Sequence, residues 1–283
     1  MKNISLMGGF WAVALGFFWA LAMSRYMKAE AQLQPVPVTH NPTVAAQSAM
    51  PEKLPESFVA ISETLALLAE KKTQNPDVVG WLAIPDTALN DVVVQRPGDN
   101  DYYLRRNLEK RYANSGVFYA DKDSKMGPLA ADLGKNTVIY GHSMSDSKDD
   151  VRFGPMRYYL EEDFARTHPY IHFSTTGEER RWEVVAVFYT AIDVPYNRGD
   201  LSEAEFAVVF DTVTSKALYN HNYTYRPEDK FLTLSTCVYS LPQAGPLPYP
   251  NDYRLGIMAR LVPEDEPIKT AAELAVNQHM TAI

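Results

Sequence analysis

Among the 283 residues there is a single cysteine, Cys237. A thiol is a strong nucleophile near neutral pH only when a neighbour helps it become the thiolate. Cys237 closes the run Phe-Leu-Thr-Leu-Ser-Thr-Cys at 231–237, where Phe231, Thr233, Ser235 and Cys237 share one parity and Leu232, Leu234 and Thr236 the other. The proline-rich stretch VYSLPQAGPLPYP follows at once. A thiol at a strand end beside such a loop stands at a rim or cleft, whereas an inert core cysteine sits more naturally in mid-strand.

Six histidines are candidate partners. His40 falls in a stalk-like stretch and His279 in the tail; His168 precedes Pro169 in a turn, His172 lies in a strand beside it, and His221 follows a helical pattern. Only His142 repeats the placement of Cys237: it ends the apolar run TVIYG and opens the polar loop SMSDSKDD. Two strand ends feeding one rim would oppose imidazole and thiol. Acyl transfer also needs positive charge or N–H groups aimed at the developing oxyanion. Arg254 offers this at the start of the last apolar run, YRLGIMARL, across the proline-rich loop from Cys237; Arg260 shares its parity but lies deeper. No group of Asp, Glu and His has metal-ligand spacing, so the expected chemistry is nucleophilic and without a metal.

The elements that must position these groups are mostly short strands. VVGWLAIP, DVVVQ, SGVFYAD, NTVIYGH, YIHFST, RWEVVAVFYTAI, FLTLSTC and YRLGIMARLV are rich in β-branched and aromatic residues and bounded by Pro, Gly, Asn and Asp. Eight such runs with little helix between them predict a mainly β fold, an antiparallel barrel or sandwich. Phe58, Ile61, Leu65 and Leu68 predict a helix outside that domain, stopped at Asn75-Pro76. A second helix is expected from Leu201 to about Tyr219, before the cysteine strand, and a short one around Ala271–Gln278 in the tail.

Ile4 to Met23 contains no charge over twenty residues, enough for a helix to span a bilayer's ~30 Å hydrocarbon core. The expected organisation is a transmembrane anchor over 1–24, an extracytoplasmic stalk over 25–56, a catalytic domain over 57–263 and a tail over 264–283; Ala29-Glu30-Ala31 leaves signal cleavage open. The net charge of −8 without any long basic run excludes nucleic acid as a natural partner.

Read together, the segments resemble a class B sortase. L-T-L-S-T-C at 232–237 is similar to the sortase signature T-L-x-T-C, and T-V-I-Y-G-H-S-M at 137–144 resembles the family's histidine segment. W-L-A-I-P-D-T at 81–87, S-G-V-F-Y-A-D at 115–121, F-G-P-M-R-Y-Y at 153–159 and F-A-R-T-H-P-Y-I-H-F-S-T at 164–175 narrow the resemblance to class B. It covers roughly 76–262 and implies an eight-stranded barrel with an N-terminal helix and a long helix inserted before the cysteine strand. The implied activity is a cysteine transpeptidase that cleaves a sorting signal on a surface protein and passes the acyl group to an amine of peptidoglycan or pilin. The implied roles are Cys237 for the thioester, His142 for proton transfer and Arg254 for the substrate backbone and oxyanion; Tyr140 and Ser235 would line the groove. The resemblance implies no organic cofactor. Three departures bear on substrate preference: Ser143 and Ser124 stand where relatives often have Asn, and the Cys237–Arg254 loop is long. Papain-like hydrolases, whose cysteine opens a helix, and L,D-transpeptidases, whose histidine lies just before the cysteine, fit worse. The rival of another class is a non-catalytic exported β-domain that binds wall or partner proteins and leaves Cys237 inert.

Overall fold

The computed structural model describes residues 56–241, 245–247 and 252–278, which belong to one compact unit spanning 53–283. The expected anchor, and the stalk up to its last residue, lie outside the described residues; among the latter no helix is long and apolar enough to cross a membrane.

All eight predicted runs are strands. Helix α1 (Glu56–Gln74) leads into β1 (Val78–Ala83), β2 (Asn90–Val94), β3 (Phe118–Ala120) and β4 (Asn136–Tyr140). A 3₁₀ segment (Gly154–Leu160) and α2 (Glu162–Thr167) precede β5 (Tyr170–Thr175) and β6 (Arg181–Ala191); α3 (Glu203–Ser215) then leads to β7 (Phe231–Cys237) and β8 (Tyr253–Leu261). The strands close a barrel in the order β1-β2-β3-β4-β7-β8-β6-β5. The expectation of a purely antiparallel sheet is corrected at two places: β2 pairs with β3, and β4 with β7, in parallel. The β4–β7 pairing is made across the crossover that contains α3, and a parallel pair needs such a long connection.

Alternation sorts side chains between two cores. Leu232 and Leu234 of β7, Leu255 and Ile257 of β8, and Phe173 and Trp182 fill the barrel interior. On the outer wall, Phe231, Met258 and Phe188 meet Phe206, Val209, Phe210 and Val213 of α3. Ser202 caps α3, its Oγ accepting from Glu205 N while Glu205 accepts from Ser202 N, as the sequence Ser-Glu-Ala-Glu allows. Phe206 packs 4.8 Å from Phe231, and burying an aromatic of this size contributes about 2–3 kcal/mol. Leu68 of α1 is buried with Val78, Val92, Val94 and Tyr103, and Lys72 Nζ donates to Val78 O at 2.7 Å, fastening the helix outside the barrel.

The short helix expected around Ala271–Gln278 is not formed. Ala275–Val276 pairs instead with Tyr219–Asn220, so long-range pairing satisfies backbone groups that a single helical turn would leave open. This pairing borders a cleft of about 380 Å³ lined by Phe210, Asp211, Tyr219, His221, Tyr223 and Asn277. Both ring nitrogens of His221 are shielded there without a hydrogen-bond partner, and burial pushes its pKa down to about 4 from 6.5. The unfolded chain therefore takes up this proton first as pH falls, which withdraws about 2–3 kcal/mol of stability between pH 7 and 4.5. Glu179, whose carboxyl burial pushes up to about 7, opposes this. His221→Asn isolates the histidine: the parent's stability relative to the variant should fall by that amount over the interval in urea unfolding, and a constant difference would refute the linkage.

Candidate active site

The parity of β7 decides which way Cys237 faces. Leu232 and Leu234 point into the barrel, so Phe231, Thr233, Ser235 and Cys237 belong to the outer wall. Cys237 thus belongs to the outer face of the barrel, at the end of β7. Cys237 is half-buried. Its direct cross-strand partner on β8 is Arg254, also half-buried, and side chains directly opposed on neighbouring strands lie on the same face. Arg260 shares that face, but it is buried at the far end of β8, ion-paired with Glu183 and Glu266. Of these two arginines, Arg254 is the one opposite Cys237.

His142 arrives because β4 and β7 run parallel, so that their C-terminal ends coincide. The ladder registers Tyr140 opposite Ser235, continues with Gly141 N donating to Ser235 O at 3.4 Å, and is closed by Thr236 Oγ1 donating to Gly141 O at 2.8 Å. Gly141 allows the close approach that follows: a Cβ there would lie 2.8 Å from ring atoms of Phe118 and Phe153. Phe153 N donates to His142 O at 2.9 Å, fixing the backbone of His142. Its Nε2 lies 2.8 Å from Leu104 O. A carbonyl only accepts, so Nε2 carries the proton and Nδ1 keeps the lone pair. Burial lowers the imidazole pKa, and the nearby positive charges of Arg105 and Arg152 add to this against the raising effect of the Leu104 bond. The ring is therefore neutral at pH 7. The imidazole is engaged with Leu104 O in this structure.

Tyr140 and Ser235 share this outer wall. Tyr140 Oη donates towards Asp121 Oδ2 (3.0 Å) and Asn197 O (3.1 Å), and its ring lies 5.3 Å from that of Tyr119. Ser235 Oγ is 2.8 Å from Tyr196 Oη. Tyr140 is half-buried, whereas Ser235 is 3% exposed and lies beneath the surface, so it is not open to line a groove as the resemblance implied. Tyr119, half-buried, and Tyr196, buried, adjoin them and were not read from the sequence. Burial raises the Tyr119 hydroxyl well above its ordinary value, with Cys237 reinforcing and Arg254 opposing the shift; burial likewise pushes Tyr196 up to about 12, with the same two groups acting on it. The parity of Tyr119 in the run Val-Phe-Tyr-Ala could have placed it, but nothing local marks Tyr196, which reaches the wall from the 3₁₀ turn Pro195–Asn197.

Of the departures from class B pattern, Ser124 is buried and its Oγ accepts from Val138 N at 3.0 Å, a bond inside the scaffold. Ser143 is also buried and donates to Ser145 O at 2.6 Å. The long loop after Cys237 folds back as Ser240–Leu241 paired with Gly245–Pro246; residues 242–244 and 248–251 are outside the described residues. Among the described residues no group of His, Cys, Asp and Glu could hold a metal ion.

No family model matches the chain. It is 33% identical over 171 residues to sortase B of Listeria monocytogenes, covering 60% of this chain and 66% of that one. It is 27% identical over 164 residues to sortase B of Staphylococcus aureus, covering 58% and 64%. The chain thus spans just under two thirds of the length of these curated relatives. A solved structure of sortase B from L. monocytogenes superposes with a TM-score of 0.55 at 29% identity, covering 69% of this chain and 99% of that one. Shared sequence across the barrel and a shared eight-stranded architecture point the same way, and the chain belongs to the class B sortase family.

Proposed function

We propose that the protein is a cysteine transpeptidase that forms a thioester at Cys237 with a sorting-signal peptide and transfers the acyl group to an amine. The observation that carries this reading is the direct pairing of Cys237 with Arg254 on an outer wall that His142 enters along the parallel strand.

In this mechanism neutral His142 accepts the thiol proton and the thiolate attacks the scissile carbonyl. The guanidinium of Arg254 stabilises the oxyanion and orients the peptide backbone. Collapse breaks the C–N bond, and the imidazolium returns its proton to the leaving amine. An acceptor amine then attacks the thioester and gives its proton to His142; the C–S bond breaks as the amide forms, and the imidazolium returns the proton to the Cys237 thiolate. Tyr119 and Tyr140, half-buried on the outer wall, are the aromatic surface along which an extended peptide lies, with buried Ser235 and Tyr196 supporting them from beneath.

The uncharged run Ile4–Met23 supports placing the chain in the plasma membrane by one span, with the barrel outside the cytoplasm. Surface proteins bearing a sorting signal are the donors in this reading, and an amine of peptidoglycan or pilin is the acceptor. The purified chain is mixed with a peptide library, with and without a glycine or lysine amine acceptor, and followed by mass spectrometry. An acyl adduct on Cys237 that disappears when the amine is added is expected. A Cys237 that neither acylates nor reacts with a thiol probe at neutral pH would instead support a non-catalytic binding domain.

A further inference from the structure

The β4–β7 register ends with Tyr140 opposite Ser235, the two bonds at Gly141 hold one further step, and His142 and Cys237 themselves are not a registered pair. What then fixes His142 relative to Cys237 lies behind them, in Arg157 of the 3₁₀ segment. Its side chain is 5% exposed and reaches both neighbouring segments. Nη1 donates to Ser143 Oγ at 2.8 Å, one residue after His142. Nη2 donates to Asp146 Oδ1 at 2.7 Å and to Cys237 O at 3.1 Å. Asp146 in turn accepts from Tyr239 N at 3.1 Å and Ser240 Oγ at 2.8 Å, beyond the cysteine, and Tyr239 Oη donates to Ser143 O at 3.0 Å. Burial alone would raise the Asp146 carboxyl, yet Arg157, Ser240 and Tyr239 together hold it below its ordinary value. The Asp146 bonds join the loop that begins at His142 directly to the segment that begins at Cys237, and Arg157 bridges both from behind through charge-assisted bonds.

We propose that Arg157, with Asp146, is a positioning pair that sets the thiol–imidazole geometry; the proposal rests on Cys237 and His142 being nucleophile and base. Neither residue touches substrate. Together they replace the strand pairing that ends one step too early, so that the two loops move as one body.

The test uses the full chain carrying Arg157→Met, Arg157→Lys or Asp146→Asn, with two readouts. The first needs no peptide: the rate of Cys237 alkylation by iodoacetamide against pH reports thiol–imidazole coupling. Arg157→Met should shift this profile toward that of His142→Ala. The second is peptide turnover, where Arg157→Met should lose about tenfold or more in kcat with KM held within about twofold, because geometry and not ground-state binding is disturbed. Arg157→Lys should recover part of that loss, since it keeps a cation against Cys237 O and Asp146. A folded Arg157→Met protein with the parental profile and kcat would overturn the proposal. If that variant does not fold, Asp146→Asn, which keeps the shape and removes the charge, decides by the same readouts, with a parental profile and kcat again overturning it. Should the parent itself cleave no peptide, the functional reading fails while the alkylation profile still judges the pair.

Discussion

Cys237→Ala should abolish peptide cleavage and leave the barrel standing. The substitution removes the atom that forms the thioester, and the loss expected when a covalent nucleophile is deleted is roughly 10⁴-fold or more in kcat. What it takes from the fold is small. Cys237 is half-buried at a strand end, its backbone oxygen stays bonded to Arg157, and its backbone remains paired with Arg254. A change of stability of about 1 kcal/mol or less follows from losing one sulfur there. Rate and thermal midpoint measured on the same preparation separate the two effects. Full turnover in this variant would remove Cys237 from the chemistry, and unfolding would show that the thiol is a packing group.

His142→Ala and Arg254→Ala should lose turnover more than binding, by different routes. Without His142 no group accepts the thiol proton or protonates the leaving amine, and loss of such a group costs roughly 10²–10⁴-fold in kcat. Without Arg254 the oxyanion loses its opposed cation, a loss of roughly 10²–10³-fold. The pH profile tells them apart. Because burial lowers the His142 pKa below its ordinary value, the acid limb of kcat/KM should lie on the acid side of that of an ordinary imidazole. Removing His142 should erase this limb, whereas Arg254→Ala should keep its position and lower its height. An acid limb above pH 6.5 in the parent would contradict the neutral-base assignment, and an Arg254 variant with parental turnover would make that residue a surface charge.

What was legible in the sequence depended on locality. Strands β1 to β8 could be read because each alternates or is uniformly β-branched and ends at a breaker; FLTLSTC also carried the parity that sets Cys237 outward from Leu232 and Leu234. Helix α3 was legible through Phe206, Val209, Phe210 and Val213, although it begins and ends a little inside the span expected. Pairing direction was not legible. Nothing within NTVIYGH or FLTLSTC says that the two runs lie parallel, and it is this pairing that brings the end of β4, and with it His142, to the end of β7. The tail failed for the same reason: ELAVN suits a helical turn locally, while Tyr219–Asn220 offers Ala275–Val276 an edge. Arg157, Asp146 and Tyr196 were invisible as site residues because each meets its partners across long stretches of chain, as in the 80-residue separation of Arg157 and Cys237.

The parallel seam between β4 and β7 has a consequence for timing. Thr236 and Gly141 meet across 95 residues, so bringing them together demands closure of a long loop and formation of the crossover between them. Until the last turn of the ring is sealed, the sulfur has no acceptor for its proton and no cation opposite it. In the proposed mechanism the reactive centre therefore switches on with folding itself: an unfinished chain carries a dormant thiol, and the same event that completes the wall arms it.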